Sequence, residues 1–401
     1  MKILLVTQHF WPENFRINDV CLGLQSRGHE VVVLTGKPNY PKGDYYEGYS
    51  WWKKRKEEWN GITIYRSNLL LRKKGTGFRL ILNYFSFAFL ASVKVLAIKG
   101  PFDKVFVFAP SPITVGIPGI VARYRFGVKN YLWIQDLWPE SIRIAGGINN
   151  KQILGLTSWM TKMIYKGTHK LLVQSRGFIP YILNQDVKEE KLIYYPFYAE
   201  DFYKVEPKEQ AYKEQFPEGF NLVFAGNIGE AQSFNTLLEA ADMLQKRNIP
   251  VNWIVFGDGR RKEYVQSQIK ELGLTDNFKL MGSFPATEMP KYFSCADGLI
   301  VSLKDSFIFE RTIPSKVQSY LACGRPIIGS LNGVGADIIQ SANAGFVGAA
   351  EDSKALTEAV VSLYHLSEEE RGLLGKNARA YYEKEFDREL LLDQLEHILN
   401  N

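Results

Sequence analysis

"NLVFAGNIGEAQSFNTLLEAADMLQKRNIPVNWIVFGDG", residues 221–259, reads as strand, glycine turn, helix, strand and a second glycine turn. Two apolar strands separated by a helix-length segment form the unit that builds a parallel α/β sheet. Working outward, the same alternation continues at 278–282, 297–302, 325–330 and 344–348. An earlier set lies at 2–7, 30–35, 62–67, 104–109, 129–134, 170–175 and 191–196. The charged stretch 198–219, with two prolines, separates the sets and reads as a linker. After residue 353 the pattern is helical, ending in an amphipathic helix with Leu390, Leu391, Leu392, Leu395 and Leu399 as its apolar stripe. The expectation is α/β architecture with a doubly wound domain at 1–200, another at 201–380, and a terminal helix, 381–401, packing back on the first. Doubly wound sheets bind ligands at the carboxyl ends of their strands, so the site is expected in a cleft between the domains.

Composition limits the function classes. A chain of 401 residues, 46% hydrophobic and 23% charged, suits a soluble two-domain protein. Cys21, Cys295 and Cys323 are scattered and lack ligand spacing, which argues against a disulfide framework or a zinc site. Residues 1–200 hold 28 Lys and Arg against 14 Asp and Glu, and residues 201–401 hold 21 against 29. The basic first half asks for an anionic partner. Its cations gather at 51–59 and 71–79, beside the apolar stretch 77–100, which Asn83, Ser86, Ser92 and Lys94 interrupt. That pattern favours a helix lying on an anionic membrane over one crossing it. A core helix with a solvated basic edge is the competing reading, and nucleic acid is the least favoured.

Three places suit an anion. Gly226, Asn227 and Gly229 form a strand-to-helix turn, and Gly257, Asp258 and Gly259, followed by Arg261, form another. Glycines there let backbone N–H groups approach a phosphate. The third is "SFIFERTIPSKVQSYLACGRP", 306–326, where Pro314 opens a helix and places Lys316 in its first turn. The helix dipole disfavours a cation at that end unless an anion shares the place. A solvated surface lysine is the plainer alternative.

These blocks, together with "ILLVTQHFWPENFRINDVCLGLQSRGHEVVVLT" and "WIQDLWPESI", make the whole chain resemble family 4 retaining glycosyltransferases of the GT-B fold. The likeness is strongest to the bacterial O-antigen, capsule and colanic-acid group, N-acetyl-L-fucosamine transferases included. It implies two Rossmann-like domains facing across a cleft, the first taking the acceptor and the second a nucleotide sugar. Glu310 then matches the first acid of the family's paired-glutamate signature and contacts the donor sugar. The second acid falls on Gln318 or Ser319, neither of them glutamate. Asn227 and Gln232 stand where the family carries a phosphate-binding arginine and lysine, which leaves charge neutralisation to Lys316 and Arg261. Gly335 and Asp337, within "LNGVGADII", match the loop behind the donor sugar, although Asp337 also suits a helix cap.

Asp136, after Gln135 in place of the family's histidine, is a sugar or acceptor contact on this likeness or else a turn-former. Glu13, Asn14 and Trp138 are candidates for the acceptor, and His9 is either a contact or a packed histidine. No Asp-x-Asp occurs, so no metal or other cofactor is expected. The implied reaction moves a sugar, with a UDP-linked N-acetyl-6-deoxyhexosamine such as N-acetylfucosamine as the guess, to a lipid-diphosphate-linked saccharide. The expected location is the inner, cytoplasmic face of the cell membrane. Two alternatives stay open, a non-catalytic binding or assembly protein and a sugar-nucleotide epimerase.

Overall fold

The structure, a computed structural model, describes residues 1–73, 77–146 and 150–401. Lys74, Gly75 and Thr76 of the basic stretch 71–79 lie outside the described residues. The chain divides into two compact units, Met1–Pro196 with Leu392–Asn401, and Phe197–Leu391.

The first unit is an eight-stranded sheet. Its strands are β1 (Lys2–Thr7), β2 (Glu30–Gly36), β3 (Lys56–Trp59), β4 (Ile62–Ser67), β5 (Lys104–Ala109), β6 (Lys129–Ile134), β7 (Lys170–Val173) and β8 (Leu192–Tyr194), in the order 3-4-2-1-5-6-7-8. Ile3 pairs with Val31 on one side and Lys104 on the other, which makes β1 the central strand where the winding reverses. All pairings are parallel except β3 with β4. The expected strands are present, whereas β3, the edge hairpin "KEEW", falls inside the stretch read only as a basic cluster. Parallel strands covered on both faces need continuous apolar runs. An antiparallel edge strand tolerates charges.

The connections from β4 to β5, β5 to β6 and β6 to β7 all step the same way across the sheet. Right-handed crossovers therefore place helices Gly77–Ala97, Gly116–Phe126 and Lys151–Gly167 on one face. The step from β1 to β2 runs the opposite way and puts Ile17–Ser26 on the other face. In the terminal helix, Leu392, Leu395 and Leu399 are fully buried, Asp393 pairs with Arg27 at 3.1 Å, and Glu396 meets His29 at 3.0 Å. Leu390, expected in the apolar stripe, faces solvent instead at 45% exposure. It precedes the buried turns by one position and so falls off their face.

The second unit is a six-stranded, wholly parallel sheet. It comprises β9 (Phe220–Ala225), β10 (Val251–Phe256), β11 (Phe278–Gly282), β12 (Gly298–Ser302), β13 (Ile327–Ser330) and β14 (Gly345–Gly348), in the order 11-10-9-12-13-14. Here the winding reverses at β9, between β10 and β12. Leu222, Phe224, Trp253, Val255 and Ile300 join Leu237, Leu238 and Leu363 in its core. The stretch read as a linker is held to this unit: Ser294 donates to the Pro207 carbonyl at 3.0 Å, Tyr292 donates to Gln215 at 3.1 Å, and Tyr212 packs edge-on against Tyr292.

Candidate functional site

The carboxyl end of β9 carries the densest set of candidates. Gly226 adopts φ +143° and donates to the Phe256 carbonyl at 2.8 Å, while Gly257 adopts φ +152°. A Cβ at Gly257 would lie 1.8 Å from the Gly226 carbonyl oxygen, and one at Gly259 would lie 2.3 Å from that of Ile228. Ile228 donates to Asp258 O at 2.8 Å and receives Arg261 N at 3.0 Å. The two glycine turns foreseen as separate anion sites are thus one interlocked structure, possible only because neither has side chains where they touch.

Lys316 enters this turn from below. Its helix, Ser315–Ala322, begins after Pro314 as expected. The Nζ is buried without a hydrogen-bond partner and sits 3.6 Å from the centre of the Phe224 ring. Burial drags its pKa down to about 7, because a cation there has lost its water and gained no anion. The solvated-surface reading of Lys316 is therefore overturned. Gln232 adds a second buried, unpartnered atom, its Oε1, near Gly229.

A cavity of about 340 Å³ opens beside the turn, lined by Gly226, Asn227, Gly257 and Asp258 together with Tyr203, Phe256, Ser283, Phe284 and Met289. Aromatic walls with a polar rim suit a flat heterocycle. Tyr203, Ser283, Phe284 and Met289 were not foreseen, since they lie outside any recognised motif, the first three in loops and Met289 at the start of the helix Met289–Ser294.

The other donor candidates divide. Glu310 lies in the short helix Phe307–Arg311, partly exposed, its carboxylate 3.1 Å from Arg311. Gly333, at φ +71°, packs so tightly on the Glu310 backbone that a Cβ would lie 2.0 Å from its carbonyl oxygen, and Gly335 abuts Pro314. Glu310, the glycine loop and the start of the Lys316 helix are thereby brought together. Asp337 is exposed in the first turn of Val334–Ser341, and Gly333 rather than Asp337 stands at that helix's N-cap.

Gln318 and Ser319 are buried and engaged elsewhere. The Gln318 amide donates to the Phe197 carbonyl at 2.5 Å, and the Ser319 hydroxyl to Ser315 O at 3.1 Å. Asp258 is spent on Gly259 N at 2.7 Å and Lys262 at 3.1 Å, and these hold its carboxyl below the usual range. Arg261 faces Glu230 at 3.4 Å and stacks on Tyr264.

In the first unit, Asp136 follows the carboxyl end of β6. It accepts from Ser141 Oγ and from Leu137 N, yet burial dominates and pushes its pKa up to about 6. Both amide atoms of the neighbouring Gln135 and the Trp138 indole N–H are buried without partners. After β1, Glu13 is 2% exposed, and its carboxylate accepts from Asn39 N at 2.8 Å and Tyr40 N at 2.6 Å while meeting His9 Nδ1 at 3.0 Å. Glu13 therefore cannot turn to an acceptor as expected. It fixes His9, whose ring stacks on Phe15. Asn14 is exposed.

Residues 207–381 match the family of glycosyl transferases group 1. WcaI of Escherichia coli (strain K12), assigned to colanic acid biosynthesis as a glycosyl transferase, is 26% identical over 340 residues, covering 81% of this chain and 82% of that protein. The family match covers less than half of the chain, and the fold is of the GT-B type. WbjE of Pseudomonas aeruginosa, described as a glycosyltransferase, is 24% identical over 60% of each chain. Among solved structures, Anabaena HepE in complex with UDP matches this chain with a TM-score of 0.72 at 13% identity, over 100% of both chains. WaaG, a glycosyltransferase involved in lipopolysaccharide biosynthesis, does so with 0.67 at 14%, over 100% of this chain and 99% of that one.

Proposed function

We propose that the protein transfers a sugar, with retention, from a UDP-linked donor to a lipid-diphosphate-linked saccharide during bacterial surface polysaccharide synthesis. The observation that carries the donor side is Lys316, a buried cation without a partner beside a glycine turn and a cavity of base size. HepE binds UDP, and WcaI and WaaG are described in polysaccharide pathways, which supports the choice of nucleotide and pathway.

In this reading the base enters the 340 Å³ cavity and the diphosphate lies against the backbone at Gly226 to Gly229. Lys316 takes up a proton as the diphosphate arrives and neutralises the leaving group, a preorganised electrostatic role. Glu310 contacts the sugar. The acceptor oxygen bonds to the anomeric carbon on the face from which the diphosphate leaves. The carbon–oxygen bond to phosphate breaks, and the acceptor proton passes to a phosphate oxygen. No protein nucleophile is needed, and the sequence lacks the Asp-x-Asp that would hold a metal–diphosphate clamp.

On the acceptor side, Asp136, Trp138 and His9 are the contacts, with Glu13 orienting His9. N-acetylfucosamine remains the favoured sugar on family likeness, and an anionic membrane at the cytoplasmic face the favoured location. Helix Gly77–Ala97 supports a membrane. Phe87, Ala91 and Val95 are buried, while Phe78, Leu82, Phe85, Phe89, Val93 and Leu96 form an exposed apolar stripe at spacings of three and four. It is also the one helix among the described residues long and apolar enough to cross a membrane.

Thermal-shift binding of UDP, GDP, dTDP and CMP, with and without chelator, tests the donor side. Selective stabilisation by UDP that survives chelator is expected. No shift with any nucleotide would favour a non-catalytic binding protein.

A further inference from the structure

Five lysines surround a cavity that the proposed reaction does not use. Lys162, Lys166, Lys170, Lys188 and Lys191, with His169, line about 700 Å³ in the first unit, against only Asp186 and Glu190 as acids. The cavity lies where helix Lys151–Gly167 ends and β7 and β8 begin, at the amino ends of the strands.

Part of this charge is structural. Lys191 caps the helix by donating to the Tyr165 and Lys166 carbonyls at 3.0 and 3.2 Å, Lys170 donates to Glu190 O at 2.6 Å, and Lys162 pairs with Asp186 at 2.6 Å. Such bonds leave each ammonium charged, with donors to spare. Lys166 and Lys188 are exposed, and Lys188 has only a 3.7 Å approach to Glu190. Lys129, Lys104 and Arg123 stand close enough, with Lys170, to hold His169 below its ordinary value after burial. The cavity is thus an excess of positive charge.

The helix leading into it is apolar on its outer side. Ile153, Leu156, Trp159 and Met163 are exposed, Leu156 at 65% and Trp159 at 60%, and Met163 itself lines the cavity. Spacings of three and four make them one stripe. It lies on the same sheet face as the apolar stripe of Gly77–Ala97, with Tyr124 exposed on the intervening helix.

We infer that this cavity is a head-group site for an anionic phospholipid, the phosphate held by Lys166 and Lys188, and an acyl chain running along Met163, Trp159 and Leu156. Charge complementarity selects the head group, and the continuous apolar stripe selects a lipid over a soluble phosphate. The site shares with the proposed function the expectation of a membrane and is independent of the transfer reaction.

Flotation of the full chain with vesicles of phosphatidylcholine alone and with 30 mol% phosphatidylglycerol (about a physiological anionic fraction) tests it. The wild type is expected to float with the anionic vesicles. K166E/K188E should lose about tenfold in partitioning, and L156S/W159S a comparable amount, whereas K246E/K279E, an equal charge change in the second unit, should lose little. Equal losses in both charge variants overturn the site and leave only general attraction. Loss in F85S/F89S but not in K166E/K188E keeps the membrane reading and removes the site. If the wild type ignores vesicles while millimolar inorganic phosphate stabilises it and not K166E/K188E, the cavity takes a soluble phosphate and the lipid assignment falls. Circular dichroism of each variant separates unfolding from lost binding.

Discussion

Lys316 lies so close to Gly226 that a Cβ on the glycine would sit 2.6 Å from Cε and 2.9 Å from Nζ. The turn that would cradle a diphosphate and the cation that would neutralise it are therefore in direct contact.

Gly226→Ala should fail on two grounds, a Cβ at φ +143° and its collision with Lys316. The expected result is about 1–3 kcal/mol lost in stability and at least tenfold weaker UDP binding. Chemical denaturation and calorimetry measure the two separately.

Lys316→Met should make the unliganded protein more stable. A buried lysine with pKa about 7 binds fewer protons folded than unfolded between pH 7 and its ordinary 10.5, so wild-type stability rises with pH across that window. Removing the amine should gain about 2 kcal/mol or more at pH 6 and progressively less toward pH 10. A variant less stable than wild type at pH 6 would mean that the amine has a partner.

Asp136→Asn has the opposite pH signature. With its pKa raised to about 6, the folded carboxyl keeps a proton that the unfolded chain releases near pH 4, so stability falls as pH rises between those values. The variant should match wild type near pH 4 and exceed it by about 1–2 kcal/mol above pH 7. Urea midpoints at the two pH values decide it.

Glu13→Ala should cost about 3 kcal/mol, because it strands two backbone amides and His9 in a buried place. His9→Gln should cost much less stability and, if His9 meets the acceptor, raise the acceptor KM without changing UDP affinity.

What the sequence disclosed follows from physics of different range. Buried parallel strands must be continuous apolar runs, so "KILLVT" and "VNWIVF" are legible without neighbours. Strand "KEEW" was not, because an edge hairpin is set by its partner rather than by its own residues. The glycine turns and Lys316 were legible because positive φ and an ill-placed cation are local anomalies. Their interlocking was not, since Gly226 and Gly257 meet only after β9 and β10 pair. Glu13 looked like a site acid because nothing in "HFWPEN" announces that Asn39 and Tyr40 would donate to it.

The most direct test of the account is isothermal calorimetry of UDP with wild type and Lys316→Met at pH 8, in two buffers of different ionisation enthalpy. Wild type should bind UDP and take up close to one proton, and the variant should bind about 100-fold more weakly with no uptake. Equal affinity in the two proteins, with no proton taken up by either, would contradict the assignment of Lys316 to the diphosphate.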